Sequence, residues 1–180
     1  MSSNPLSKVW FTPTRGASNW LWLSFFVILL DQTTKALVAG SIDLYSRIEL
    51  LPILEITHLQ NTGAAFSILA GASGWQRWFF IALALCVSVV LMMWLRRIRT
   101  PEQTVLAIGL SLVLGGALGN VIDRVWHGHV IDFIFFHWGN RYFPAFNLAD
   151  SAISVGAACL LWDAFMENKR SDRRTADGGQ

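Results

Sequence analysis

Four long apolar segments limit what this chain can fold into. A helix that crosses the hydrocarbon core of a bilayer needs about 20 mostly apolar residues, and we predict such helices over residues 20–40, 75–95, 104–122 and 146–165. Charged residues make up only 14% of the chain, whereas soluble domains are about one quarter charged. We therefore expect an all-α membrane protein with four transmembrane helices.

Basic residues are distributed unevenly between the two sides that these helices define. Nine basic residues lie on the side that contains both termini and the connection between the second and third helices, whereas four lie on the other side. The nine are Lys8, Arg15, Arg96, Arg97, Arg99, Lys169, Arg170, Arg173 and Arg174. Because such residues are enriched on the cytoplasmic side, we predict an N-in/C-in topology. Residues 1–19, 96–103 and 166–180 then form a cytoplasmic leader, loop and tail, and the first helix is expected to be retained rather than cleaved.

Two external segments connect the helices on the opposite side. In residues 41–74, the stretch RIELLPILEITHLQ is rich in β-branched residues with partial alternation of polarity, which predicts short strands on the outer membrane surface. Pro52 is expected to limit their pairing. Residues 123–145 contain the aromatic stretch VIDFIFFHWGNRYF and are expected to lie along the external membrane interface as an amphipathic segment.

The first helix contains two charged residues, Asp31 and Lys35, four positions apart. This spacing places them on one helix face. Charges inside a membrane are costly and are usually paired toward the interior of a helix bundle. We interpret them as a structural, mutually neutralising pair.

Two further acids are candidates for chemistry. Asp150 shares a helix face with Asn147 and is expected about one turn below the outer surface, whereas Asp132 belongs to the second external segment and can fold back over it. Two carboxyls held close together share a proton and provide an acid and a base. The alternative is that Asp132 caps the external segment and Asp150 bonds Asn147 or a backbone group.

Four other polar positions have both a functional and a structural interpretation. Asn120 can orient a carboxyl, hold a substrate backbone or join helices. Arg124 can bind a phospholipid headgroup or an internal acid, or extend to the interface. Asn61 and Gly63 belong to NTGAAF, in which the glycine permits close approach of a ligand or forms an ordinary turn.

Other classes of chemistry have little support. His127 and His129 form an H-x-H pattern, but with Asp132 they match no standard zinc spacing, so neither a metal nor a cofactor is expected. Cys86 and Cys159 lie in apolar runs without paired spacing. The net charge of +2 is too small to indicate nucleic-acid binding.

Five separated motifs, taken together, resemble the lipoprotein signal peptidase (signal peptidase II) family of bacterial inner membranes. They are DQTTK (31–35), NTGAAFS (61–67), GGALGNVIDR (115–124), VIDF (130–133) and FNLADS (146–151). The resemblance implies an aspartyl endopeptidase that cuts diacylglyceryl-modified prolipoproteins on the N-terminal side of the lipidated cysteine. It also implies a small extracytoplasmic β-sheet cradle over about residues 41–65.

The same resemblance assigns roles to individual residues. It implies that Asp132 and Asp150 are the catalytic pair, and that Asn61, Gly63, Asn120, Arg124 and Asn147 hold the substrate or shape that pair. The expected partners are a lipid-modified prolipoprotein and membrane phospholipid, with the active site facing the periplasm or exterior. The alternatives are a proton-coupled transporter, which needs acids across the membrane, and a non-enzymatic membrane assembly factor.

Overall fold

Four long helices form the body of the protein. The computed structural model describes residues 17–63, 74–98 and 103–177. Its helices are α1 (Ala17–Ser41), α2 (Trp75–Leu95), α3 (Thr104–Trp126) and α4 (Leu148–Asp177). All four are long and apolar enough to cross a membrane, which confirms the predicted set of four spanning helices.

The central helix of the bundle is α3, which is far more buried than the other three. It packs against α1, α2 and α4, and its glycines permit close approach, as small residues commonly do between membrane helices. A Cβ atom at Gly109 would lie 2.8 Å from Leu160 Cδ2, and one at Gly119 would lie 2.7 Å from Asp31 Oδ2. An apolar cluster around Leu95, Leu106 and Leu110 fills the bundle near the α2–α3 connection.

A four-stranded antiparallel sheet lies at the other end of the bundle. Its strands are β1 (Arg47–Leu51), β2 (Leu54–Asn61), β3 (Val130–Trp138) and β4 (Arg141–Tyr142), paired in that order. Because β2 follows α1 and β3 follows α3, their pairing joins the two helical hairpins. Pro52 occupies the turn between β1 and β2, so it removes no hydrogen bond from the ladder.

The second external segment differs from the expectation. Residues 123–145 contain the last turn of α3, strand β3 and strand β4, and their position along the membrane interface remains a prediction. The sheet is thus larger than the one expected over residues 41–65. The turn between β3 and β4 is Gly139–Asn140, in which Gly139 has a positive φ of 56°, and this dipeptide is typical of a tight hairpin.

Some expectations fall outside the described residues. These include most of the predicted leader, with Lys8 and Arg15, the part of NTGAAFS after Gly63, and Arg99 of the predicted loop. The N-in/C-in topology remains a prediction. The sheet and the α2–α3 connection nevertheless lie at opposite ends of the bundle, as that topology requires.

Candidate active site

The two predicted catalytic acids lie on adjoining elements. Asp132 is on β3, where it pairs in register with Leu59 of β2, and its side chain is only 3% exposed. Asp150 is in the first turn of α4. The chain enters α4 beside Asp132 because Phe146 forms an antiparallel bridge with Ile134 of β3. The fold therefore brings together two acids that are 18 positions apart in the sequence.

Asn147 connects these acids. It precedes α4 and caps it: Asp150 N–H donates to Asn147 Oδ1 at 2.9 Å, and Asn147 N–H reaches back to Asp150 Oδ2 at 3.4 Å. This reciprocal arrangement is a capping box. The same asparagine donates from Nδ2 to Asp132 Oδ1 at 2.8 Å. The structural interpretation expects Asp150 to bond Asn147 or a backbone group. The structure has the contact with Asn147, and the same asparagine also binds Asp132.

Asn61 and Asn120 donate to the other carboxylate oxygens. Asn61 Nδ2 lies 2.9 Å from Asp132 Oδ2, and Asn120 Nδ2 lies 2.8 Å from Asp150 Oδ1. Each acid therefore has one amide partner of its own, besides the asparagine between them. Such donors stabilise a carboxylate and fix the direction of its free lone pairs.

The electrostatic environment favours a protonated Asp132. Burial, and secondarily the negative charge of Asp150, raise the pKa of Asp132 to about 7, although hydrogen bonds from Asn61 and Asn147 act in the opposite direction. Removal from water penalises the charged form of a carboxyl, and a nearby like charge adds to this penalty. Near neutral pH Asp132 can therefore be present as the carboxylic acid.

Arg124 anchors the end of β2 to α3. Its Nη2 donates to Gly63 O at 3.1 Å and its Nη1 to Asn120 O at 3.4 Å, while the guanidinium lies 5.2 Å from the ring centroid of Phe80. Gly63 N–H in turn donates to Asn61 Oδ1 at 3.0 Å. Asn61 and Gly63 thus form one turn, which the arginine holds against the acidic site.

An apolar cavity of about 580 Å³ opens beside the acids. Its polar end is lined by Asn61, Gly63, Asn120, Arg124 and Asp150. The remaining wall is mainly apolar and comes from the β4–α4 connection and the first turns of α4, including Phe143, Phe146, Ile153 and Val155. Asp132 is not among the residues that line the cavity, but it accepts a hydrogen bond from Asn61 at the polar end. A mostly apolar cavity with a few convergent polar groups is typical of a ligand site.

The predicted pair in α1 is present, and it has a third member that the sequence reasoning missed. Lys35 Nζ lies 2.8 Å from Asp31 Oδ2 and 2.9 Å from Asp123 Oδ2. It also donates to Asn120 Oδ1 at 3.0 Å. Asp123 lies on α3, so spacing within α1 could not reveal it. Its position three residues after Asn120, on the same helix face, was the available signal.

The alternative chemistries find no matching geometry. The rings of His127 and His129 are 5.9 Å apart, but among the described residues no three His, Cys, Asp or Glu side chains are placed to hold a metal ion. The hydroxyls of Ser151 and Ser154 donate to backbone carbonyls of their own helix turn. Neither hydroxyl has the histidine partner that activates a serine nucleophile.

The fold and site define a multi-pass membrane protein with paired acids beside an apolar cavity. Comparison with known protein families identifies the class more narrowly, since residues 23–166 match the family model of signal peptidase (SPase) II. The lipoprotein signal peptidase of Pseudomonas fluorescens (strain Pf0-1) is 53% identical over 159 residues, which cover 87% of this chain and 93% of that protein. The lipoprotein signal peptidase of Shewanella sp. (strain MR-4) is 45% identical over 158 residues, covering 88% and 92%.

Solved structures agree with this assignment. A bacterial membrane enzyme determined by the in meso method at 2.3 Å resolution superposes with a TM-score of 0.74 at 30% identity, covering 85% of this chain and 91% of that one. A second, determined at 1.9 Å, gives a TM-score of 0.68 at 32% identity, with coverages of 80% and 90%. The chain belongs to the signal peptidase II family.

Proposed function

We propose that the protein is an aspartyl endopeptidase that removes signal peptides from diacylglyceryl-modified prolipoproteins. It would cut on the N-terminal side of the lipidated cysteine. Family membership and the lipoprotein signal peptidases that it resembles support the substrate class. The observation that carries the mechanism is the hydrogen-bonded connection of Asp132 and Asp150 through Asn147, beside an apolar cavity.

The reaction follows from one proton shared by two carboxyls. The carboxylate removes a proton from water, whose oxygen attacks the scissile carbonyl carbon while the carboxylic acid protonates the carbonyl oxygen. The resulting gem-diol then collapses: the newly protonated carboxyl gives its proton to the amide nitrogen, the other carboxylate takes a proton back from a gem-diol hydroxyl, and the carbon–nitrogen bond breaks. The pair returns to one acid and one carboxylate, so no covalent intermediate is required.

The cavity suits a substrate that is part lipid and part peptide. The apolar wall around Phe146, Ile153 and Val155 can accept acyl chains, while Asn120 and Arg124 present polar groups where a peptide backbone would lie. In the proposed topology this end of the bundle faces the periplasm or exterior of a bacterial inner membrane. Water then reaches the acids from outside, and the acyl chains and surrounding phospholipid remain in the outer leaflet.

The placement of the buried acids favours hydrolysis over proton transport. Asp31 and Asp123 share Lys35, and Asp132 and Asp150 share Asn147. All four carboxyls therefore lie at one end of the bundle. A transporter requires a relay that continues across the membrane, and a non-enzymatic assembly factor requires no dependence of one acid on the other.

Cleavage of a diacylglyceryl-modified prolipoprotein by purified protein tests this proposal. Asp132→Asn and Asp150→Asn should each lower kcat at least about 100-fold, because acid–base catalysis contributes that much or more. Asp163→Asn, which changes an acid of α4 outside the site, is the matched control and should cleave normally. Wild-type turnover in either site variant would refute the two-acid mechanism, and an inactive wild-type protein would refute the substrate assignment.

A further inference from the structure

The Asp31–Lys35–Asp123 cluster contains one more ionisable group than a neutral pair in a membrane requires. Its three side chains are 0%, 2% and 1% exposed, respectively, and one ammonium group contacts two carboxyls. Desolvation makes each buried charge costly, and Asp31 alone would already neutralise Lys35. The second acid therefore needs another explanation.

Each acid of the cluster also binds the backbone next to one catalytic residue. Asp31 Oδ1 accepts a hydrogen bond from Ala149 N–H at 2.9 Å, and Ala149 immediately precedes Asp150. Asp123 Oδ2 accepts one from Ile131 N–H at 3.2 Å, and Ile131 immediately precedes Asp132. Through its two carboxyl partners, Lys35 thus connects the start of α4 to β3.

The lysine also determines which way the Asn120 amide points. Lys35 can only donate hydrogen bonds, and its Nζ lies 3.0 Å from Asn120 Oδ1. This contact leaves Asn120 Nδ2 directed at Asp150 Oδ1, 2.8 Å away. The reversed amide would place two donors against each other and direct an oxygen at the carboxyl.

We propose that Asp31, Lys35 and Asp123 form a positioning clamp that sets the separation and orientation of the Asp132 and Asp150 carboxyls. The inference rests on the proposed function, in which the two carboxyls act on one water molecule. These three are positioning residues, since none of them lines the cavity. Displacement of a reacting group by about 1 Å can cost about 100-fold in rate, so a clamp of this kind acts on kcat.

Asp123→Asn is the most informative variant, because it leaves the Asp31–Lys35 pair intact and keeps an oxygen where Asp123 Oδ2 contacts both Lys35 Nζ and Ile131 N–H. It removes the negative charge, and it places an amide NH2 where Asp123 Oδ1 accepts from Gln32 Nε2 at 2.8 Å. Its kcat should fall about 10- to 100-fold, while KM should stay within about threefold, since substrate contacts remain. Ser24→Ala is the matched control: Ser24 Oγ donates to Ser111 O at 2.8 Å and is buried between the same two helices. It lies about 10 Å along α1 from Asp31 and should leave kcat unchanged.

Lys35→Met adds a readout that a purely structural role would not alter. The charged groups that act on Asp132 are Asp150 from α4, Lys35 from α1 and Arg124 from α3. The positive charge of Lys35 lowers the pKa of Asp132, so its removal raises that pKa. The alkaline limb of the kcat profile should therefore move to higher pH, whereas Ser24→Ala should not move it.

The outcomes separate the clamp from the proposed function. If the wild-type protein cleaves, the Asp132 and Asp150 variants do not, and Asp123→Asn retains kcat within about twofold per folded molecule, the clamp is refuted and the function stands. An unshifted pH profile in folded Lys35→Met also contradicts it. If Lys35→Met does not fold, Asp31→Asn and Asp123→Asn carry the test, because each leaves Lys35 one carboxylate. Failure of both to fold would make the cluster a folding element and overturn the proposal.

Discussion

Gly119 provides a sharp test of how closely the site depends on packing between α1 and α3. A Cβ atom added there would lie 2.7 Å from Asp31 Oδ2 and 3.3 Å from Asp31 Cγ, whereas ordinary contacts begin at 3.4 Å. In Gly119→Ala the carboxyl must therefore retreat by about 0.7 Å. It has little freedom to do so, since it is fully buried and bonded to Lys35 and to Ala149 N–H.

Two opposing energies decide the effect on stability. Alanine favours a helix interior over glycine by about 1 kcal/mol, while overpacking costs about 1–3 kcal/mol. The net destabilisation should thus lie between zero and about 2 kcal/mol. Activity should suffer more, because a shift of about 0.7 Å at Asp31 moves the start of α4, and a misplacement of about 1 Å costs about 100-fold. We expect kcat to fall about tenfold or more.

The assay is the initial rate of cleavage of a diacylglyceryl-modified prolipoprotein, normalised to folded protein. Gly109→Ala is the control for overpacking: its Cβ would lie 2.8 Å from Leu160 Cδ2 and 3.0 Å from Gly156 O, in the half of α3 away from the acids. Gly40→Ala, with nothing within 4 Å, is the control for helix propensity. If Gly119→Ala lowers kcat no more than Gly109→Ala at equal thermal stability, the reasoning is refuted.

Three further predictions concern the polar end of the site. Because burial and Asp150 raise the pKa of Asp132 to about 7, kcat should decline about tenfold per unit as pH rises above this value and the shared proton is lost; a rate that keeps rising to about pH 9 contradicts this. Asn61→Ala removes a hydrogen bond that lowers the pKa of Asp132, so the alkaline limb of the rate–pH profile should move to higher pH. The maximal rate should fall, and a shift of this limb to lower pH would contradict the assignment. Arg124→Lys loses the two-point contact with Gly63 O and Asn120 O, and charged hydrogen bonds contribute about 1.5–3 kcal/mol, so KM should rise about tenfold; an unchanged KM would exclude a role in binding.

The sequence predicted the helices well because apolar length is a local property. The predicted span 75–95 coincides with α2, and the span 104–122 differs from α3 only by the final turn. The fourth span was predicted over residues 146–165, but α4 runs from Leu148 to Asp177 and so continues as a helix through most of the predicted tail. The helix starts later than predicted because Asn147 is its N-cap residue. The three-residue spacing of Asn147 and Asp150 is itself that of a capping box.

The sheet was only half predicted, because strand pairing between distant segments is not local. The aromatic stretch in residues 123–145 predicts an interfacial segment without strands, whereas the structure has β3 and β4 there. Gly139–Asn140 between two aromatic runs was the available hairpin signal. The pairing of β2 with β3 could not be predicted, because nothing in the sequence indicates that the two external segments contact each other.

The members of the clamp, like the paired strands, could not all be predicted from local sequence. A pair such as Asp31 and Lys35 already balances its charge, so nothing in α1 requires a third group. This balance gives no reason to select Asp123, yet it is 1% exposed and contacts Lys35 directly. The candidate catalytic residues can be selected from the sequence by residue type and motif. Their hydrogen-bond partners on other helices can be identified only from the tertiary structure.

The distribution of the site among α1, β3 and α4 has a consequence for biogenesis. Synthesis proceeds from the N-terminus, so Lys35 enters the bilayer first, Asp132 follows much later, and Asp150 arrives with the last helix. On the proposed mechanism, a nascent chain that has not yet delivered α4 to the membrane has no hydrolytic capacity. Proteolysis in the membrane would begin only when α4 has packed against the earlier elements.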